Sequence, residues 1–390
     1  MDPVRNPYNP GAGSRPPALV GREQQLEEFD IAIQRLSLGK SAKSMLLTGL
    51  RGVGKTVLLN EFQLLANRRQ WIYEPLEANP EIDFPRAMGT LVRKAALRLS
   101  AKERMSDRTR RALSVIRSFQ VTWNVPDLGT VKVDPMIGIS DSGVLDADLA
   151  ELLIELGDLA NDHDRGVLFT IDEMQYLAKD HLAALIQALH TVAQRQLPII
   201  VSGAGLPSLL GAIGDARSYA ERLFDFPVID SLDDDAAADA LTIPAEEEGV
   251  RWDRAGVQRV VELAKGYPYF LQEFGKQTWD MAAGPDEISL SDVDYAMPLA
   301  IDALDDGFFR VRIDRANDSE RRYLRAMASL GGGPYRSGDV ADQLGKSTRE
   351  LGPVRDALVK RGTCYSPRWG QIDFTVPMFD EFIRRTMTPG

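Results

Sequence analysis

Cysteine is nearly missing from this chain: Cys364 is the single thiol in 390 residues. One thiol closes no internal disulfide and excludes a cysteine-ligated zinc site, and it fits a reducing compartment. Histidine is almost as scarce. His163, His181 and His190 are the only ones, too few for a histidine-built metal centre. His181 and His190 fall in a helical stretch and read as packing or surface residues. No apolar run approaches the roughly 18 residues that a bilayer-crossing helix requires. The opening MDPVRNPYNPGAGSRPP has no apolar signal core, which argues against export and for a cytoplasmic location.

Hydrophobic residues make up 44% and charged residues 26% of the chain. That balance excludes a mostly disordered chain, and the length suggests two to three domains. The net charge is -11 but is spread unevenly. Residues 225–309 hold 5 basic and 20 acidic residues, whereas residues 310–390 hold 15 basic and 10 acidic. An acidic middle and a basic tail imply modules with separate partners. Only the tail has the sign to approach a polyanion.

The pattern along the chain predicts an α/β protein. Residues 1–18, rich in Pro, Gly and Asn, read as an extended arm with little to bury. A helix is expected over about 22–37. SMLLT (44–48), 71–76, VLFTI (167–171), LPIIV (197–201) and 224–229 read as buried strands. Helices are expected to 69, over 84–99, 146–160 and 180–195. The segment 101–118 is basic, and 119–140 alternates around Asp127-Leu128-Gly129, which predicts a β-hairpin. Strands separated by helices make a parallel, doubly wound sheet. From 232 the pattern turns helical, near 233–247, 253–265, 268–282 and 289–304. The domains expected are the arm 1–18, a sheet core 19–231 with a basic insertion at about 101–144, an acidic helical lid 232–310, and a module over 311–390.

Gly49-Leu50-Arg51-Gly52-Val53-Gly54-Lys55-Thr56 matches G-x-x-x-x-G-K-[ST], with a strand before it and Val57 opening an apolar helix after it. Glycines let backbone N–H groups turn inward around a polyphosphate, and the helix adds its positive end. Lys55 would reach the outer phosphates, and Thr56 would offer a hydroxyl to Mg²⁺. VLFTIDE (167–173) ends an apolar strand in two carboxylates. Asp172 would hold the Mg²⁺ shell, and Glu173 would polarise the attacking water. The strand at 71–76 implies an extra strand between the two motif strands, the additional-strand type of P-loop NTPase sheet.

Leu19-Val20-Gly21-Arg22-Glu23 ahead of this loop, then Ile171-Asp172-Glu173-Met174-Gln175 and Gly266-Tyr267-Pro268-Tyr269-Phe270, resemble AAA+/STAND ATPases. The resemblance is nearest to the initiator-like group with a C-terminal winged helix, such as archaeal origin-recognition ATPases, and covers about residues 19–386. It implies that Val20, Gly21 and Arg22 lie beside the adenine and that Pro268 packs near the nucleotide. Ser202, ending the strand PIIVS, takes the sensor position where these proteins often carry Asn or Thr, which implies slow turnover. No sensor arginine stands in GYPYF. Arg222 is the implied arginine finger, delivered across a homo-oligomer interface that holds the ATP, and Arg217 is its competitor.

Residues 318–387 read as a winged helix-turn-helix. Its third helix begins near Ser347, and a strand-turn-strand over 365–374 makes the wing. Pro353 inside that helix threatens a kink. Lys346, Ser347, Thr348, Arg349, Arg355 and Arg368 are the candidate contacts to double-stranded DNA. The function expected is an ATPase, cleaving ATP to ADP and phosphate with Mg²⁺, whose nucleotide state controls assembly and DNA binding. A signalling ATPase whose winged helix touches protein is the alternative. A chaperone or motor holding a basic partner on the acidic lid comes third.

Overall fold

The structure, a computed structural model, describes residues 1–11, 13–100, 106–125 and 133–387. The chain forms two compact units. One holds Glu23–Thr48 and Lys55–Val228; the other holds Met1–Arg22, Gly49–Gly54 and the chain from Ile229 onward.

The first unit is built on five parallel strands: β1 (Ser44–Thr48), β2 (Ile72–Glu77), β3 (Val167–Asp172), β4 (Ile199–Gly205) and β5 (Phe224–Asp225), in the order β2-β3-β4-β1-β5. Every residue of β1 and β4 is buried, as continuous apolar runs require when helices cover both faces. The helices are α1 (Glu23–Ser37), α2 (Lys55–Arg68), α3 (Phe84–Ser100), α4 (Asp107–Thr122), α5 (Leu145–Asp162), α6 (Lys179–Gln194) and α7 (Ser208–Ala216). Phe29 of α1 stacks on Phe62 of α2 at 4.1 Å. Leucines 149, 152, 153, 156 and 159, all fully buried, carry α5 into the core. His181 stacks on Phe84 and His190 packs on Tyr219, so both are packing residues.

Two expectations are corrected here. The extra strand expected between the motif strands β1 and β3 is present, but it is β4; β2, over the expected 71–76, lies at the edge beside β3. Sheet order is set by non-local pairing, which chain order does not reveal. The hairpin expected over 119–140 is also absent from the described residues. Residues 107–122 are helix α4, capped by Ser106, whose hydroxyl accepts from Thr109 N. Its buried face is Ala112, Leu113, Val115, Ile116 and Phe119, a period of 3.6 that overrides the short alternation at its end. Residues 126–132 of that expected hairpin, and 101–105 of the basic run, lie outside the described residues. Within the rest of the basic run, two arginines pair with acids of α5: Arg111 with Glu155 at 2.9 Å, and Arg108 with Asp162 at 3.0 Å.

In the second unit, the acidic middle folds into α8 (Asp234–Glu247), α9 (Arg254–Ala264), α10 (Pro268–Met281) and α11 (Leu290–Leu304), with a short parallel pair, β6 (Arg251–Trp252) and β7 (Glu287–Ile288). Part of the acidity is structural. Asp233, Asp253 and Ser289 with Asp292 cap α8, α9 and α11. The N-terminal arm is not bare. Tyr8 is buried with its ring edges on Trp252 and Trp279, and its hydroxyl donates to Leu241 O at 2.5 Å. A Cβ at Gly275 would lie 2.8 Å from that ring, so glycine makes the seat.

A π turn, Asp305–Phe309, and the short α12 (Arg310–Asp314) lead into a winged helix. It consists of α13 (Asp318–Ser329), β8 (Tyr335–Arg336), α14 (Ser337–Gln343), α15 (Thr348–Lys360), β9 (Cys364–Tyr365), β10 (Gln371–Phe374) and α16 (Phe379–Thr386), with antiparallel order β8-β10-β9. Phe309 packs on Phe270, Phe379 and Phe382, and Arg385 pairs with Asp305 at 2.7 Å. Cys364 is fully buried, and burial pushes its thiol pKa up, so it stays a protonated core residue.

Candidate active site

The glycine-rich loop follows β1, and α2 begins at Lys55. Its glycines serve three different needs. A Cβ at Gly49 would lie 2.0 Å from Ile229 O. Gly52 and Gly54 hold φ of +83° and +97°, which side-chain-bearing residues rarely adopt. Gly52 also faces the Tyr267 hydroxyl, 2.9 Å from where its Cβ would be. Within the loop, Leu50, Arg51 and Gly54 are partly buried, and Val53 is buried.

Val20, Gly21 and Arg22 lead to the same loop. Gly21 has φ +67°, and the Arg22 guanidinium donates to Val53 O at 3.2 Å and to Asp230 O at 2.5 Å. Arg22 therefore clamps the loop's backbone to the start of the helical module. Gly266, also left-handed, leaves 2.1 Å between its missing Cβ and Leu232 O. Pro268 starts α10, where its lost N–H costs nothing. The side chain of this motif that meets the loop is Tyr267. It is 1% exposed, its hydroxyl has no partner among the described residues, and burial raises its pKa.

The remaining motif residues belong to the sheet unit. Thr56, in the first turn of α2, donates its hydroxyl to Asp172 Oδ2 at 2.5 Å. Asp172 Oδ1 accepts from Glu173 N at 2.7 Å. Glu173 stands just beyond β3 in the left-handed region, φ +53° and ψ +37°, a strain of about 1–3 kcal/mol of the kind that collects at functional sites. Its carboxylate accepts from Gln175 Nε2. A hydroxyl and a carboxylate oxygen this close suit a small hard cation. Among the described residues no three His, Cys, Asp or Glu gather to hold a metal, so a cation here would complete its shell with phosphate and water.

Ser202 does not end its strand. β4 runs on to Gly205, because Gly203, Ala204 and Gly205 leave room for the turn after β3: a Cβ at Gly203 would lie 2.0 Å from Met174 Sδ. Ser202 is fully buried opposite Thr170, and its hydroxyl has no partner among the described residues. Arg222 ends the 3-10 turn Ala220–Arg222, before β5. It borders a cavity of about 430 Å³ with Arg35, Lys43 and Ser44, at the amino end of β1 and so away from Asp172. Arg217 is ion-paired with Asp146. Burial and the charge of Arg51 lower the pKa of Arg312 in α12. Its guanidinium lies 3.8 Å over the Phe308 ring. It also donates to Phe308 O at 2.5 Å.

In the winged helix, Ser347 caps α15 and is committed to Glu350: its hydroxyl donates to Oε2 at 2.7 Å and accepts from Glu350 N at 3.3 Å. Lys346, Thr348, Arg349 and Arg368 are exposed. Arg355 is not a surface cation. It hydrogen-bonds Ser366 and Gln371 O, tying α15 to the wing, and is one-quarter exposed. Pro353 sits inside α15 without ending it. Next to Arg368, Trp369 stands wholly in solvent. Among the described residues no helix is long and apolar enough to cross a membrane.

Residues 18–202 match the model of the AAA ATPase domain, and residues 306–383 match a domain of unknown function, DUF8462. Among solved structures, the chain is similar to the Walker-type ATPase PABY2304 of Pyrococcus abyssi, with TM-score 0.56 and 16% identity over 95% of this chain and 97% of that one. Looser likenesses are the Aeropyrum pernix Orc1 protein in complex with DNA (TM-score 0.47, 15% identity, 95% and 93% covered) and a Thermotoga maritima RuvB mutant (0.46, 16%, 95% and 96%). No curated protein matches the chain.

Proposed function

We propose that this chain, which carries an AAA ATPase domain over residues 18–202, binds ATP with Mg²⁺ and hydrolyses it slowly to ADP and phosphate. The observation that carries the reading is the Thr56–Asp172 hydrogen bond at the carboxyl end of β3, with Glu173 next in the chain. The loop from Gly49 to Val57 wraps the phosphates, and Lys55 neutralises the outer ones. Thr56 and Asp172 hold the Mg²⁺ that accompanies the nucleotide; when bound, it neutralises charge on the phosphate oxygens. Glu173 takes the proton of the attacking water. Val20, Gly21 and Arg22 border the adenine, Pro268 and Tyr267 close over the loop, and the Ser202 hydroxyl, which has no partner among the described residues, positions the attacking water or the γ-phosphate. Arg222 acts on the nucleotide of another copy, so the active form is a homo-oligomer.

The nucleotide state sets DNA binding through the winged helix, with Lys346, Thr348, Arg349 and Arg368 as contacts, in the cytoplasm; Ser347 is withdrawn because its hydroxyl is spent capping α15. Arg355 is withdrawn from that set, since it already braces the wing. That withdrawal also favours a second reading, in which the winged helix touches a partner protein and serves a signalling switch. Duplex binding measured with ATP, with ADP and without nucleotide, across a salt series, separates the two. ATP-enhanced, salt-sensitive binding supports the first; indifference to DNA in all states removes it.

A further inference from the structure

Gln175 lies two residues past Glu173, and the 3-10 turn Met174–Tyr176 folds its side chain back across the site. Its Nε2 donates to the Glu173 carboxylate, while its Oε1 accepts from Leu206 N at 3.0 Å, the first residue after β4. The amide has one orientation available: the Leu206 N–H demands an oxygen, which turns the NH₂ toward the carboxylate. Gly205 makes the space. A Cβ there would lie 2.9 Å from Gln175 Oε1, and one at Gly203 would strike Met174. The small-residue end of β4 thus supplies no polar side chain of its own, and Gln175 stretches over it.

We infer that Gln175 is a positioning residue for hydrolysis, fixing the Glu173 carboxylate through one hydrogen bond and registering the end of β4 through the other. The inference rests on the reading of Glu173 as the base. Its regulatory content is a coupling. Leu206 opens the connection to α7, which leads on to the turn bearing Arg222. A shift of that connection therefore changes how the carboxylate is held.

The test uses the full chain, with steady-state phosphate release and fluorescent-nucleotide binding. Gln175→Ala is expected to lower kcat about tenfold or more, with nucleotide Kd and KM within about twofold of the parent. Gln175→Glu has nearly the same volume and can still accept from Leu206 N, but it sets two carboxylates against each other. Its kcat is expected to fall at least as far as that of Gln175→Ala. A space-filling role predicts the reverse, with Gln175→Glu close to the parent. A Gln175→Ala kcat within twofold of the parent, or a Gln175→Glu kcat well above that of Gln175→Ala, overturns the inference. Glu173→Gln separates the two layers: turnover surviving there removes the base and its positioner together, whereas a dead Glu173→Gln beside an unaffected Gln175→Ala removes only Gln175.

Discussion

The Thr56 hydroxyl donates to Asp172 at 2.5 Å, joining the first turn of α2 to the last residue of β3. Each group is short and leaves little slack. Asp172→Asn preserves the shape and removes the charge. The Mg²⁺ concentration that half-saturates turnover is expected to rise about tenfold or more. A magnesium titration of phosphate release checks this, and an unmoved midpoint would take Asp172 out of the cation's shell.

Lys55 and Glu173 should separate binding from chemistry. Lys55→Ala is expected to cost at least about a hundredfold in ATP affinity, since it removes the cation on the outer phosphates. Glu173→Gln should keep its affinity within a few-fold while turnover falls about 10²- to 10⁴-fold. Calorimetry beside a turnover assay reads both. Retained micromolar binding in Lys55→Ala would refute the loop assignment.

Gly52 and Tyr267 approach so closely that no added atom fits between them. Gly52→Ala forces a side chain onto φ +83° and places a methyl 2.9 Å from the Tyr267 hydroxyl. A cost of about 1–3 kcal/mol and weaker nucleotide binding are expected. Tyr267→Phe deletes a buried hydroxyl that lacks a partner among the described residues, so stability should hold or rise by about 1 kcal/mol. Denaturant midpoints decide.

Tyr8 anchors the N-terminal arm. Tyr8→Ala should destabilise the helical unit by about 3–5 kcal/mol. Burial raises the Tyr8 pKa, so the folded chain keeps this proton where the unfolded chain releases it. The contribution is therefore complete below pH 10 and lost as pH climbs past it. In Tyr8→Phe the slope of stability against pH above about 10 should flatten. A superimposable alkaline profile would contradict the burial.

Lys346, Arg349 and Arg368 are exposed cations of the winged helix. Replacing all three with Ala should lower the slope of log affinity against log salt for duplex DNA by up to about three, one for each phosphate that is no longer neutralised. Neutralising Arg355 should instead destabilise the wing. A salt slope left unchanged by the triple variant would favour protein binding.

Much of this molecule was legible in local sequence, for reasons that differ by element. SMLLT and VLFTI are continuous apolar runs bounded by glycine or acid, and buried parallel strands need that pattern. GLRGVGKT carries its own geometry, since few other residues tolerate those φ values. The hairpin expectation failed because FQVTWNV alternates, whereas the buried Leu113, Ile116 and Phe119 just upstream make a helix. Sheet order, the length of β4 and the commitment of Arg355 depend on partners far along the chain. Tyr267 and Gln175 were missed for the same reason: each touches a residue, Gly52 or Leu206, that sequence spacing does not reveal.

Phe309 wedges between Phe270 of α10 and the two rings of α16, with Asp305 and Arg385 bolting the joint. α10, which opens just after Tyr267, and the winged module thus share one packed aromatic joint. Replacing Phe309 with a smaller side chain would therefore loosen both modules at once, since α10 and α16 lean on the same ring.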